Sequence, residues 1–148
     1  MKKIVLATGL LLSLNSFAMS ENCNIANDIF NDSGMVMVDA MTMAINDGEK
    51  LSNSTVSYDD FSIWYKKVYP KKIAAVANKY AKYKSVDSGN PIYLGIVSIL
   101  EVNNFTKALD NYMKDRNADN LVPINESKDR IEKAYYRLVK DCGKRHDR

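Results

Sequence analysis

The sequence predicts an all-α protein, an up-and-down four-helix bundle in which one disulfide joins the first and last helices. Three observations support this fold class. Apolar residues recur every three or four positions along most of the chain, which is the period of an α-helix. Residues that favour turns and helix caps separate these segments. The chain has two cysteines, and Cys23 and Cys142 lie in the first and last helical segments.

The chain begins with the features of a secretory signal peptide. Two lysines precede an apolar stretch at residues 4–14, and Ser16 and Ala18 put small residues where a signal peptidase cleaves. We predict a signal peptide at residues 1–18 and one helical domain at residues 19–148, exported to the bacterial periplasm or the medium. A retained anchor is the alternative. No later apolar run reaches the roughly 18 residues that a membrane span needs, so the mature form should have no transmembrane segment.

Export determines how the cysteines and the charge are interpreted. A pair of cysteines in an oxidising compartment is expected to form a disulfide, with free thiols or an intermolecular pair as the alternatives. Cleavage removes Lys2 and Lys3 and no acidic residue, so the net charge of +3 falls to +1. This nearly neutral charge, together with the compartment, argues against a nucleic-acid-binding protein.

The first helix is predicted to begin at the cap residue Ser20 and to end at Gly48. Gly34 weakens its middle by about 1 kcal/mol relative to alanine, which indicates close packing or a bend. Methionines cluster here; they either fill gaps in the core, which their helical spacing favours, or form an adaptable binding surface. The predicted buried stripe consists of Cys23, Ala26, Phe30, Gly34, Met37, Met41 and Ile45.

The second helix is predicted to begin after Ser57, where Asp60 completes a variant of the capping box. Phe61, Trp64 or Tyr65, and Val68 then recur at helical spacing. Pro70 interrupts this pattern before it resumes through residues 73–83. A proline there either kinks one helix or begins a new one.

The third helix is predicted at residues 91–116, with Pro91 in its first turn behind the cap residue Asn90. Residues 92–102 are apolar on nearly every side, so we predict that this helix is the central and most buried one. Its predicted core residues are Tyr93, Val97, Leu100, Phe105, Leu109 and Tyr112.

The last helix is predicted to begin at a cap residue, Asn125 or Ser127, and to end at Gly143. Its apolar stripe leads to Cys142, just as the stripe of the first helix starts at Cys23. Because a disulfide requires Cα atoms within about 7 Å, the first helix must begin where the last one ends. An up-and-down bundle then needs an even number of passes, so Pro70 should kink a pass rather than reverse the chain.

The sequence predicts no catalytic or metal site and no cofactor. His146, the only histidine, follows Cys142 by four residues, which is metal-ligand spacing, but it falls beyond the predicted helix end and the cysteine should be oxidised. A lone histidine in a charged tail also does not suit Ser-His-Asp or Cys-His catalysis. We therefore expect a protein that is not an enzyme. A haem-binding or small-ligand-binding bundle is the alternative.

The most distinctive segment is residues 57–86, which combine seven aromatic residues with seven lysines and two aspartates, a net charge of +5. This composition favours a basic face with aromatic anchors that binds an acidic protein surface, with contact to an anionic membrane surface also possible. The alternative is a solvated lysine face over an aromatic core. The predicted contact residues are Trp64, Tyr65, Lys66, Lys67, Tyr69, Lys71, Lys72, Lys79 and Tyr83.

Taken together, these patterns predict a small exported helical protein that acts by protein–protein binding. Accessory factors of secretion or pilus systems, immunity proteins and inhibitors all have this character. The alternatives are the ligand-binding or haem-binding bundle and a periplasmic stress chaperone.

Overall fold

A computed structural model of the protein describes residues 20–143. Within this range the chain forms α-helices and short 3-10 turns and contains no strand. The prediction of an all-α fold is confirmed. The predicted signal peptide, Met19 and His146 lie outside the described residues. The helices are α1 (Glu21–Ala44), α2 (Tyr58–Lys67), α3 (Tyr69–Lys79), α4 (Pro91–Lys114) and α5 (Leu121–Cys142).

Helix α1 begins as predicted, because the Ser20 side chain accepts a hydrogen bond from the Cys23 amide at 3.3 Å. It ends at Ala44, about one turn before the predicted stop at Gly48. The Ser54 hydroxyl donates to the Ala44 carbonyl at 2.6 Å and so satisfies one of the last helical acceptors from outside the helix. Gly48, with a φ of 84°, instead lies in the turn that follows.

Helices α2 and α3 form one pass that is interrupted next to Pro70. Val68 ends α2 and precedes α3, and its backbone stays in the right-handed helical region. Its amide donates to the Trp64 carbonyl at 2.8 Å, so the helical hydrogen bonding continues up to the break. Pro70 then occupies the first turn of α3. Amides in the first turn have no acceptor within the helix, so the amide hydrogen that proline lacks costs no helical hydrogen bond. The prediction of a break within one pass is confirmed.

The disulfide connects the first and last helices as predicted. The sulfur atoms of Cys23 and Cys142 are 2.01 Å apart, and the Cα atoms are 5.9 Å apart. Helix α5 therefore ends beside the start of α1, and the described chain makes four passes, with α2 and α3 counted as one.

The centre of the bundle is a contact between α1 and α4, which run in the same direction. The Ser33 and Ser98 hydroxyl oxygens are 2.8 Å apart, and Gly95 of α4 packs against Ile29 of α1. Helix α4 also packs against α5 on one side and against α2 and α3 on the other. Buried small residues on α1, such as Ala40, allow this close approach.

The buried stripe of α1 differs in its second half from the predicted one. Its start is as predicted, but Val36, Ala40 and Ala44 are buried where Met37, Met41 and Ile45 were expected. The latter three are only half-buried, because the face toward α4 uses smaller residues. No atom of another described segment lies within 4 Å of the position that a Cβ of Gly34 would take, so close packing does not explain this glycine.

Replacing either of two helical glycines with alanine should therefore change the free energy of unfolding, but in opposite directions. At Gly95 a Cβ would lie 2.9 Å from the Ile29 Cβ and 3.2 Å from the Ala26 carbonyl oxygen. We expect Gly95→Ala to lower the free energy of unfolding by about 1–2 kcal/mol, because overpacking outweighs the gain in helix propensity. Gly34→Ala, with open space, should raise it by about 0.5–1 kcal/mol. Urea denaturation of both variants checks this prediction, and the same sign at both positions would contradict it.

Helix α4 has the longest set of buried residues of the described helices, as predicted for the central helix. Tyr93 and Leu100, however, are 37% and 56% exposed, so their predicted place in the core is wrong. The step from Leu100 to Phe105 is five residues, which moves from one side of a helix to another. Phe105 and the predicted core residues after it are buried, and the two exposed residues lie on a different side.

Helix α5 begins at Leu121 and not at the predicted cap residues Asn125 or Ser127. Pro123 is compatible with the first helical turn, so the helix extends upstream of the turn-like sequence. Ser127 is instead buried, and its hydroxyl oxygen lies 3.2 Å from an Arg130 nitrogen. The predicted end at Gly143 is confirmed.

Candidate functional site on helices α2 and α3

The predicted contact residues divide into an inner and an outer group. Trp64 and Tyr69 are 6% and 5% exposed, so their predicted role as surface anchors is corrected: both pack in the core. Tyr65 and Tyr83 are half-buried. The outer group consists of the lysines Lys66, Lys67, Lys71, Lys72 and Lys79, which are exposed.

The inner aromatic residues form a continuous cluster that supports α2. Phe61 is fully buried and lies 5.9 Å from Trp64 and 6.1 Å from Tyr65, measured between ring centroids. The Tyr65 and Tyr69 rings stack at 5.5 Å. The Tyr69 hydroxyl donates to Asn103 of α4 at 2.6 Å, and burial raises the pKa of Tyr69 to about 12. These contacts, together with the packing of both helices on α4, orient α2 and the start of α3 and leave the opposite side of α2 to solvent.

Two of the outer lysines pair with α1. Lys72 lies 2.5 Å from Asp39, and Lys79 lies 2.7 Å from Asp32, with all four side chains at least one-third exposed. Burial alone would raise the pKa of Asp32, but hydrogen bonds from Lys79 and Tyr80 hold it below its usual value. The Asp32 carboxylate in turn raises the pKa of Lys79. The two ion pairs connect α3 to α1. Because Lys72 and Lys79 are paired with aspartates, they add less positive charge to the surface than the sequence suggests.

Three lysines near the kink make no ion pair with any described residue. Lys66, Lys67 and Lys71 are exposed, and exposed apolar side chains lie beside them in the sequence. Ile63 is 56% exposed and Val68 is 38% exposed. We call this surface the lysine face; it consists of Ile63, Lys66, Lys67, Val68, Pro70 and Lys71.

Ile63 was missing from the sequence prediction, and Val68, which the helical spacing grouped with Phe61, is exposed rather than buried. A signal for Ile63 was available, because it lies two residues from both Phe61 and Tyr65. Residues two apart on a helix do not share a face, so a helix that turns Phe61 and Tyr65 toward the bundle turns Ile63 away from it. Exposed apolar side chains among lysines form a surface with both a hydrophobic and an electrostatic component.

An acidic residue that the sequence analysis did not single out lies where α2 meets α4. The Oδ1 atom of Asp110 is buried and has no hydrogen-bond partner among the described residues. Burial raises the pKa of Asp110, although the Tyr58 hydroxyl and the ammonium groups of Lys66 and Lys114 act in the opposite direction. Burial and the Asp110 carboxylate together raise the pKa of Tyr58. Asp110 therefore partly offsets the positive charge at this edge of the lysine face.

Two shallow grooves open to solvent elsewhere on the bundle. One, of about 350 Å³, lies between the end of α1 and the start of α2. The other, of about 260 Å³, lies between α4 and α5 and is lined by asparagines, Lys107 and Arg130. Residues 20–143 contain no group of three or more histidine, cysteine, aspartate or glutamate side chains placed to hold a metal ion. Among the helices of this range, none has both the length and the apolar character of a membrane span.

In comparisons with known proteins, no family model, no curated protein and no solved structure matches this chain.

Proposed function

We propose that the protein is exported to the bacterial periplasm and acts there by binding another protein that presents an acidic surface. The observation that carries the proposal is the lysine face, where three exposed lysines that make no ion pair within residues 20–143 lie close in the sequence to exposed Ile63 and Val68. Such a surface combines apolar contact area, which contributes affinity, with charge, which raises the association rate and selects an acidic partner.

The way the lysine face is supported favours binding as well. The buried aromatic cluster behind it and the ion pairs of α3 with α1 hold the backbone of this surface in place. A surface that is already ordered loses less conformational entropy on binding than a flexible one. An accessory factor of a secretion or pilus system, an immunity protein and an inhibitor would each use a surface of this kind.

The disulfide supports export. Disulfides form and persist in oxidising compartments and are rare in the cytosol. The Cys23–Cys142 bond, together with the signal-like sequence at residues 1–18, favours the periplasm as the place where the partner is met.

Charge reversal on the lysine face tests the proposal. We expect Lys67→Glu with Lys71→Glu to abolish recovery of the partner in a pull-down from periplasmic extract, because like charges would then oppose each other. The control is Lys133→Glu with Lys140→Glu, an equal change in charge at two exposed residues of α5. Mass spectrometry identifies the proteins recovered by the wild type and by both variants.

The melting temperatures of both variants should stay close to that of the wild type, since none of the four lysines makes an ion pair with a described residue. Recovery should also fall as salt is raised, because exposed charges are screened. The lysine face is not the binding surface if both variants lose the recovered proteins to the same extent. The same conclusion follows if both variants recover them as well as the wild type does.

A further inference from the structure

Within residues 20–143, helix α4 has helical neighbours on three sides, and no described helix covers its fourth side. It packs against α1, against α5 and against the α2–α3 pass. Residues spaced by four and three along the remaining side form one stripe, which we call the open stripe. It consists of Tyr93, Val97, Leu100, Asn104, Lys107, Asn111 and Lys114.

The first half of the open stripe is apolar. Leu100 is 56% exposed and Tyr93 is 37% exposed, while Val97 is half-buried where it packs against the core formed by α1, α4 and α5. Residues 92–102 are apolar on nearly every side, yet the bundle covers only three sides of the helix. Exposed apolar side chains that lie in a row are a common mark of an interaction site.

The second half of the open stripe is polar and basic. Asn104, Lys107 and Asn111 line the groove of about 260 Å³ between α4 and α5. Across the groove, Arg130 is held in place by Glu101 at 2.9 Å and by the Ser127 hydroxyl at 3.2 Å. The seven residues of the stripe include two lysines and no acidic residue, and Lys107 makes no ion pair with a described residue.

We propose that the open stripe binds one amphipathic helix of another protein, apolar at one end and acidic at the other. The apolar end would contact Tyr93 and Leu100, and the acidic end would pair with Lys107 and Lys114. An amphipathic helix that packs its apolar side chains against a partner surface is a common recognition mode, and the asymmetric distribution of charge sets the direction of the bound helix. A second copy of this chain fits less well, because the stripe carries no acidic side chain to pair with its own lysines. The inference does not depend on the lysine face.

Synthetic helices provide the probe. A peptide of about 20 residues matches the length of the stripe at a rise of 1.5 Å per residue. One peptide carries leucines along one face of its first half and glutamates over its second half; its counterpart carries lysines in place of the glutamates. We expect the glutamate peptide to bind the protein at least about tenfold more tightly than the lysine peptide in a fluorescence titration.

Two variants locate the binding site of the glutamate peptide. Leu100→Asp should weaken binding at least about tenfold, because it removes the most exposed apolar contact of the stripe. The matched control is Met35→Asp on α1, where the replaced side chain is 55% exposed. Lys107→Glu should weaken the glutamate peptide and strengthen the lysine peptide. Thermal unfolding followed by circular dichroism checks that each variant remains folded.

The proposal is overturned if neither peptide binds, or if Leu100→Asp and Met35→Asp change binding equally. It is also overturned if the wild type sediments as a dimer that Leu100→Asp converts to a monomer, since a second copy would then occupy the stripe. These variants leave the lysine face unchanged. The pull-down that tests the proposed function can therefore succeed or fail independently of the peptide titration.

Discussion

Replacing both cysteines with serine should lower the free energy of unfolding by about 4–5 kcal/mol. The disulfide joins residues that are 119 positions apart, so it encloses nearly the whole described chain in one ring. Such a ring restricts the unfolded chain strongly, and the chain-entropy model gives a large stabilisation for a loop of this length. A domain of this size has only about 5–15 kcal/mol of stability, so the double variant should unfold at a much lower urea concentration.

Reduction provides the control for the disulfide. Wild-type protein in a strong thiol reductant should unfold at nearly the same urea concentration as Cys23→Ser with Cys142→Ser, whereas the double variant should not respond to the reductant. Thiol titration of denatured, unreduced protein should find no free cysteine. Two free thiols, or equal stability of the wild type and the double variant, would contradict the role assigned to the bond.

The ends of the helices were predictable where a local side chain determines them. The side chains of Ser20, Ser57 and Asn90 each accept a hydrogen bond from an amide in the first turn of α1, α2 and α4. These interactions span two or three residues, so they can be recognised in the sequence. The start of α5 lacks such a side-chain cap, and there the sequence prediction was wrong.

The number of passes was predictable for another reason. It follows from one covalent constraint, the proximity of Cys23 and Cys142, combined with the length of the helical segments. The face that each helix buries was harder to predict, because it depends on the neighbouring helix. Gly95 and Ser33 show this: both lie in the contact between α1 and α4, yet neither is apolar enough to mark a core position in the sequence.

The candidate site was predictable in its charge but not in its shape. The composition of residues 57–86 predicted a basic face, and the five lysines named as contacts are exposed. Whether Trp64 and Tyr69 are anchors or core residues depends on contacts with other helices, such as that of Tyr69 with Asn103, 34 residues away. The same holds for Asp32 and Asp39, which neutralise two lysines of the predicted face from another helix.

Phe61→Ala should lower the free energy of unfolding by about 3–5 kcal/mol. The Phe61 side chain is fully buried and contacts the rings of Trp64 and Tyr65. Alanine would leave a cavity at the centre of the aromatic cluster, and the surrounding rings can fill it only in part because their own contacts hold them. Urea denaturation followed by the fluorescence of Trp64, the only tryptophan, reports on this region directly.

Ile63→Ala is the control for Phe61, because Ile63 lies on the same helix and is 56% exposed. It should change the stability by less than about 0.5 kcal/mol, as expected for an exposed position. If the aromatic cluster supports the lysine face, Phe61→Ala should also weaken partner binding under conditions in which most of the protein remains folded. Ile63→Ala should weaken partner binding as well, but with little loss of stability. Equal stability losses for the two variants would mean that the aromatic cluster is not the core that holds α2 in place.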